Sequence, residues 1–279
     1  MSQESPVHHV QPPAGLDAWL DALDPTREPS VRLADLNGVS FVIKRRQPSL
    51  ARGVSYVLRY LRASVLAAFC RLLLGEWPSP RSLVHNGLPH EAARLRALTE
   101  AGCRVPAVWR YRSGELVLEF VGQDIPYLLR EADPVGRRAL IDEIATDLAA
   151  FHAGGHWHGG AQVRNLTRRD DCIWRLDFEE NIGATLSLSL AQAYDVYQCL
   201  SSVVVLRHVP DDESVALADR LLHAYLAHNT DPALRRSLAR VARVLDRTAR
   251  LLSPLRWVPG RDVQGFFRFA RSLRLLLSS

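Results

Sequence analysis

The sequence predicts an α+β chain of two unequal lobes, a small β-rich one followed by a larger, mostly helical one. Three observations predict it. Two strand-turn-strand patterns with a helix between them fill the first 122 residues. Helical periodicity runs through nearly everything from 187 to 279. The chain has 279 residues, 47% of them hydrophobic, enough to bury a core in each lobe. With 23% charged residues the composition is that of a globular protein, and it excludes disorder, a collagen-like repeat and a coiled coil.

Residues 1–30 form a Pro-containing extension with no basic start followed by an apolar run, so no secretory signal is read and a cytoplasmic protein is expected. Cys70, Cys103, Cys172 and Cys199 lie scattered, without a CxxC pair or a histidine at ligand spacing. Neither a disulfide framework nor a zinc site is indicated, and a reducing compartment follows.

The first lobe is expected over 31–121. Residues 31–46, VRLADLNGVSFVIKRR, place two runs of strand-forming residues around Asn37-Gly38, a strong hairpin signal, with Lys44 on the second strand. Residues 52–77 turn helical, with Arg59, Arg62 and Arg71 interrupting the apolar positions. No uncharged run there reaches the ~18 residues that a membrane span needs. The segment reads as a packed helical insertion or as an amphipathic helix on a membrane or partner surface. After a break at 78–89, HEAARLRALTEAG predicts a helix closed by Gly102. VPAVWRYRSGELVLEFVG then predicts two strands about Ser113-Gly114. The second lobe, 122–279, is expected to hold a helix over 136–154, a loop-rich stretch to about 184, and helices to the end. The linker near 119–124 would border an interlobe crevice, a common place for a ligand.

Of the 35 basic residues, 34 are arginine and one, Lys44, is lysine. Arginine is evidently accepted wherever only positive charge is wanted. A lone lysine therefore points to a place that needs a compact ammonium rather than a planar fork. Further along, residues 156–181 deliver His158, Asn165 seven positions on, and Asp177 at the end of the apolar strand Ile173-Trp174-Arg175-Leu176. An amide oxygen from a loop and a carboxylate from a strand end can converge on one hard cation, and such sparse oxygen ligation suits Mg²⁺.

At these residues the sequence resembles the protein-kinase-like fold, in particular its small atypical branches: the lipopolysaccharide-core and Kdo kinases and the RIO-like and Bud-type kinases. His158-Gly159-Gly160-Ala161-Gln162-Val163-Arg164-Asn165 resembles the family's catalytic loop, and Asp177-Phe178-Glu179 its metal-binding motif. Val42-Ile43-Lys44 looks like the strand lysine that holds nucleotide phosphates. Glu91 is similar to the helix glutamate that pairs with it, and 116–122 to the interlobe hinge. The resemblance implies an ATP- and Mg²⁺-dependent phosphotransferase. Lys44, Glu91 and the hinge residue Glu119 would serve the nucleotide, and Asn165 and Asp177 the metal. His158 would give structural support, and Asp195 would brace the loop from beneath.

Two positions depart from the pattern. Where the family has its catalytic aspartate this chain has Gly160, which cannot accept a proton. Where the metal motif ends in glycine it has Glu179, followed by Glu180. Either the chain is a pseudokinase that binds nucleotide or scaffolds an envelope partner without transfer, or Glu179 or Glu180 replaces the missing carboxylate. A general base contributes ~10²–10⁴ in rate, while phosphoryl transfer depends mainly on positioning and charge neutralisation, so losing the aspartate need not abolish activity. Gln162 can orient a hydroxyl but cannot act as a base. No G-x-G-x-x-G precedes Lys44.

The acceptor implied is a hydroxyl of an envelope glycolipid or sugar, or a protein Ser or Thr. Residues 52–77 and 265–279, both studded with arginine among apolar residues, are the expected contacts with an anionic glycolipid or the inner face of the membrane. No aromatic-interleaved basic patch suggests nucleic acid.

Overall fold

The computed structural model describes residues 7–23, 29–45, 71, 87–112, 114–181, 183, 185–207 and 209–251. The expected insertion at 52–77 lies outside them apart from Arg71, and the terminal stretch 265–279 lies outside them entirely. Strand β1 (Val31–Leu36) turns through Asn37 and Gly38 into β2 (Val39–Arg45), with Leu36 opposite Val39 and Val31 opposite Lys44. Both turn residues have positive φ, 56° and 77°, which an Asn-Gly pair tolerates. A second hairpin, β3 (Val108–Arg112) and β4 (Glu115–Glu119), joins the first through β4. The antiparallel sheet therefore runs β1-β2-β4-β3.

Strand alternation sends apolar side chains of β2 and β4 to two covered faces. On one, Phe41, Ile43 and Val117 pack against Leu16 and Leu20 of a short helix, α1 (Leu16–Asp21). Residues 7–23, read from sequence as lying before the first lobe, thus include a piece of its packing. On the other face, Val42, Leu116 and Leu118 meet Leu95 and Leu98 of α2 (Leu88–Glu100). Helix α2 ends at Gly102, whose φ of 77° lets Cys103 N–H donate to the Leu98 carbonyl at 2.9 Å.

The second lobe begins with β5 (Gln123–Asp124), α3 (Ile125–Glu131) and α4 (Pro134–Ala153). The Asp124 and Asp133 carboxylates cap the two helices by accepting from Tyr127 N–H and Gly136 N–H. A 3₁₀ turn (Val163–Asn165) leads into β6 (Leu166–Arg169) and β7 (Cys172–Arg175). These pair with β5 in a three-stranded sheet, of which the sequence reading gives the last strand, over 173–176, within a stretch otherwise read as loop-rich. Helices α5 (Leu188–Val204), α6 (Asp211–His228) and α7 (Pro232–Leu251) follow. Ile144, Leu148, Val196, Leu221 and Tyr225 form the centre of this lobe's core. Gly122 fixes the approach of the hinge to β6: its φ is 95°, and a Cβ there would lie 2.2 Å from the Arg168 carbonyl oxygen. Among the described residues no helix is long and apolar enough to cross a membrane.

Candidate active site

Lys44 stands where the two lobes meet. Strand β2 brings its side chain to the face shared with α2, whose first turn carries the fully buried Glu91, and the chain leaving β7 brings Asp177 from the other lobe. The ammonium donates to Glu91 Oε1 at 2.7 Å and to Asp177 Oδ1 at 3.0 Å. Burial works against the charge on Lys44, but the two carboxylates more than offset it and raise its pKa above the ordinary value. Burial dominates at Glu91 and pushes its carboxyl up to about 7 despite Lys44. Both values go up, but for opposite reasons: at Glu91 burial and the nearby charges of Asp177 and Glu179 outweigh the single cationic neighbour, whereas at Lys44 two carboxylate partners outweigh burial. Asp177 has a φ of 65°, a conformation that non-glycine residues adopt at a cost and that aspartate tolerates better than most.

The loop beneath is held from α5. Asp195, fully buried, accepts hydrogen bonds from His158 N–H and, at 2.7 Å, from Gly159 N–H, and it also contacts His152 Nε2. His152 is held on its other side by the Tyr225 hydroxyl, 2.6 Å from Nδ1. Burial raises the Asp195 carboxyl, but these partners outweigh it and keep its pKa below the ordinary value. Gly159 needs to be glycine: its φ is 94°, and a Cβ would come within 2.9 Å of the Glu180 carbonyl. The His158 ring stacks on Phe178 with centroids 4.2 Å apart, and burial pulls its pKa down to about 4. His158 is neutral at physiological pH and packs; Phe178, itself fully buried, joins this loop to the apolar cluster under the first lobe.

Asn165 donates from Nδ2 to the Gly160 carbonyl at 2.8 Å, and its own carbonyl accepts from Leu176 N–H at 2.8 Å. The loop and the strand that delivers Asp177 are thereby tied together. Gln162 donates to Gln198 at 2.7 Å, and Gln198 donates to the Gly159 carbonyl. Gly160 differs from Gly159: its φ is not in the glycine-favouring region, and a Cβ would meet nothing closer than Asn165 Nδ2 at 3.5 Å. The backbone there does not demand glycine. Glu179 lies on the metal side, where carboxylate oxygens of Glu91, Asp177 and Glu179 fall within 4.8 Å of one another. Glu180 passes over Gly159. Burial raises its carboxyl, as do the charges of Asp177 and Asp195. Hard, sparse oxygen donors of this kind fit Mg²⁺, and Glu91 Oε2, buried without a hydrogen-bond partner, faces an unmet electrostatic demand.

Beside Lys44 opens a mostly apolar cavity of about 520 Å³. Leu33 and Val42 line it from the sheet, Leu118 to Val121 from the hinge, and Leu176 with Asp177 from the second lobe. Glu119 borders it, but its carboxylate is engaged. One oxygen accepts from Val10 N–H at 2.9 Å and Arg169 at 2.6 Å; the other meets His9 Nδ1 at 2.6 Å and Ala107 N–H at 3.2 Å. Burial raises this carboxyl, yet its four partners outweigh burial and hold the pKa below the ordinary value. Sequence reasoning missed these partners of Glu119, and also Arg94. Arg94 lies one helical turn after Glu91, donates to the Trp157 carbonyl, and places its guanidinium 3.3 Å from the Trp157 ring centroid. Its i+3 spacing from Glu91 is the only sequence signal of that placement.

A hairpin, a helix and a second hairpin, then a hinge, a hairpin that delivers an aspartate and a helical lobe: this order makes a two-lobed α+β chain, the arrangement that the sequence resemblance implies. Solved structures similar to it include WaaP in complex with acyl carrier protein, at 15% identity and a TM-score of 0.41, covering 81% of this chain and 84% of that one. A choline/ethanolamine kinase family protein from Mesorhizobium loti is similar at 12% identity and a TM-score of 0.38, covering 93% and 98%. No family model and no curated protein matches the sequence.

Proposed function

We infer that this chain is an ATP-dependent phosphotransferase of the kinase-like kind. The observation that carries the reading is the position of Lys44, the only lysine, bonded to carboxylates from both lobes beside the cavity. The apolar walls Leu33, Val42, Leu118 and Leu176 take the base. Lys44 neutralises phosphate charge, and Glu91 keeps the ammonium in place. Asp177 and Asn165 would hold Mg²⁺, and Glu179, whose carboxylate lies within 4.8 Å of that of Asp177, could add a further oxygen; the ion, when bound, would supply charge neutralisation at the transferred phosphoryl group. The acceptor is a hydroxyl, of an envelope glycolipid or sugar or of a protein Ser or Thr, as the sequence resemblance implies. Gln162 positions the acceptor side of the loop through Gln198.

Gly160 supports a second reading, a module that binds nucleotide without transferring phosphate. The two share a first test. Thermal unfolding is measured for the wild type, Lys44→Arg and Asp177→Ala, with and without MgATP; a ligand at 100 times its dissociation constant stabilises by ~2.7 kcal/mol. The expected result is a Mg²⁺-dependent rise in the wild type that both variants lose. No rise at millimolar MgATP refutes both readings. A rise without phosphate transfer to any sugar, lipid or protein acceptor selects the second.

A further inference from the structure

The described part of the chain ends on a helix whose charge is unlike that of the rest. Helix α7 carries Arg235, Arg236, Arg240, Arg243, Arg247 and Arg250 against a single acid, Asp246, a surplus of five that equals the formal net charge of the whole protein, +5. At about 100° per residue, Arg236, Arg240, Arg243, Arg247 and Arg250 fall within an arc of about 80° and extend along about 21 Å of the axis. All five are exposed, while the opposite face buries Leu234, Leu238, Val241 and Ala242 in the core and packs on α5. Arg250 pairs with Asp246 at 2.6 Å, and Arg235, off the stripe, donates to the Leu226 carbonyl. The sequence continues the bias: 252–279 adds Arg256, Arg261, Arg268, Arg271 and Arg274 against Asp262 alone. Residues 232–279 therefore carry +9, and the remaining 231 residues carry −4.

We propose that the arginine face of α7 is a docking surface for an anionic phospholipid bilayer. A row of five arginines about 21 Å long on one helix face, with the apolar side of the same helix consumed by the core, fits a flat field of phosphates. It is not built to insert its own apolar side. A bilayer is favoured over nucleic acid because no exposed aromatic interleaves the row. The residues that follow it, Trp257, Phe266, Phe267 and Phe269 among leucines, have the chemistry of a lipid interface. The charge asymmetry also orients the molecule, since the acidic remainder is repelled by the surface that attracts this helix. The surface is independent of nucleotide chemistry.

The test is sedimentation of the full chain with vesicles of phosphatidylcholine alone and with 30% phosphatidylglycerol. The wild type is compared with the triple variant Arg236→Glu, Arg243→Glu and Arg247→Glu. These side chains are exposed and lie outside the cleft, so an unchanged unfolding temperature verifies the fold. Each basic residue near an anionic surface contributes about fivefold in binding, so the triple variant is expected to lose at least about a hundredfold. Wild-type binding to the anionic vesicles should weaken as salt rises. Equal binding to neutral vesicles, or undiminished binding by the triple variant, overturns the proposal. So does tighter, arginine-dependent binding to a DNA or RNA duplex than to vesicles. No nucleotide enters the assay, so its failure and that of the phosphotransferase reading are separately visible.

Discussion

Replacing Glu91 with glutamine keeps the shape of the side chain and removes its charge. In the folded protein the Glu91 carboxyl is raised to about 7 from an ordinary value of 4.5, with burial as the largest cause. The folded state therefore binds a proton more readily than the unfolded chain. The stabilising contribution of that proton is complete below about 4.5 and is lost as pH rises through about 7. The difference between the two values corresponds to about 3 kcal/mol. Glutamine does not titrate, so Glu91→Gln should gain about 3 kcal/mol relative to the wild type between pH 4.5 and 8. Lys44 titrates far above this window and keeps Asp177 as a partner in the variant. Urea unfolding of both proteins at pH 5, 6, 7 and 8 measures the effect, and taking the difference cancels the groups that do not interact with Glu91. A difference that stays flat within about 1 kcal/mol would refute the reasoning, because it would mean that Lys44 keeps Glu91 ionised throughout.

Gly160→Asp should fold with little change in stability, since a Cβ there meets only ordinary contacts, and should raise MgATP-dependent phosphate release by ~10²–10⁴. No gain with nucleotide binding intact would show that a carboxylate at 160 is not what limits transfer. Gly122→Ala should cost more than about 3 kcal/mol in urea unfolding, against about 1 kcal/mol for Gly102→Ala, which has a positive φ but open space around it; equal costs would contradict the backbone clash at Arg168. His9→Ala should cost about 1–2 kcal/mol at neutral pH by removing one partner of the buried Glu119. Part of that difference should vanish as pH falls through the lowered pKa of Glu119; unchanged stability would show that the remaining partners suffice.

The hairpin at Asn37 and Gly38 is legible because a two-residue turn demands positive φ and leaves a dipeptide signature. Lys44 and the residues of the loop and strand beneath it can be named in advance for a different reason. A single lysine among 34 arginines marks a site by composition, and Asn165 and Asp177 stand at the spacing of a known loop and strand end. Helix α1 is not legible, being six residues in a Pro-containing stretch whose only periodic signal is Leu16 and Leu20. Of the β5-β6-β7 sheet only the last strand is legible, as the apolar run 173–176 that delivers Asp177; β5 and β6 are hidden because they are two and four residues long and β5 lies about 40 residues before its partner. The surroundings of Glu119 are hidden as well. Its partners His9 and Arg169 are 110 and 50 positions away, and ion pairing across such distances leaves no pattern along the chain.

The pinning of Lys44 also makes the protein chemically addressable. It carries one ε-amine, and that amine lies in the cleft, 15% exposed, between two carboxylates. An acylating reagent selective for lysine can modify only that atom and the chain's own α-amine. The mass of the product therefore reports directly on the crevice, without mutagenesis and without knowledge of the acceptor. With both carboxylates in place the amine is held protonated and should react slowly, so the labelling rate becomes a gauge of how often the two lobes let go of it.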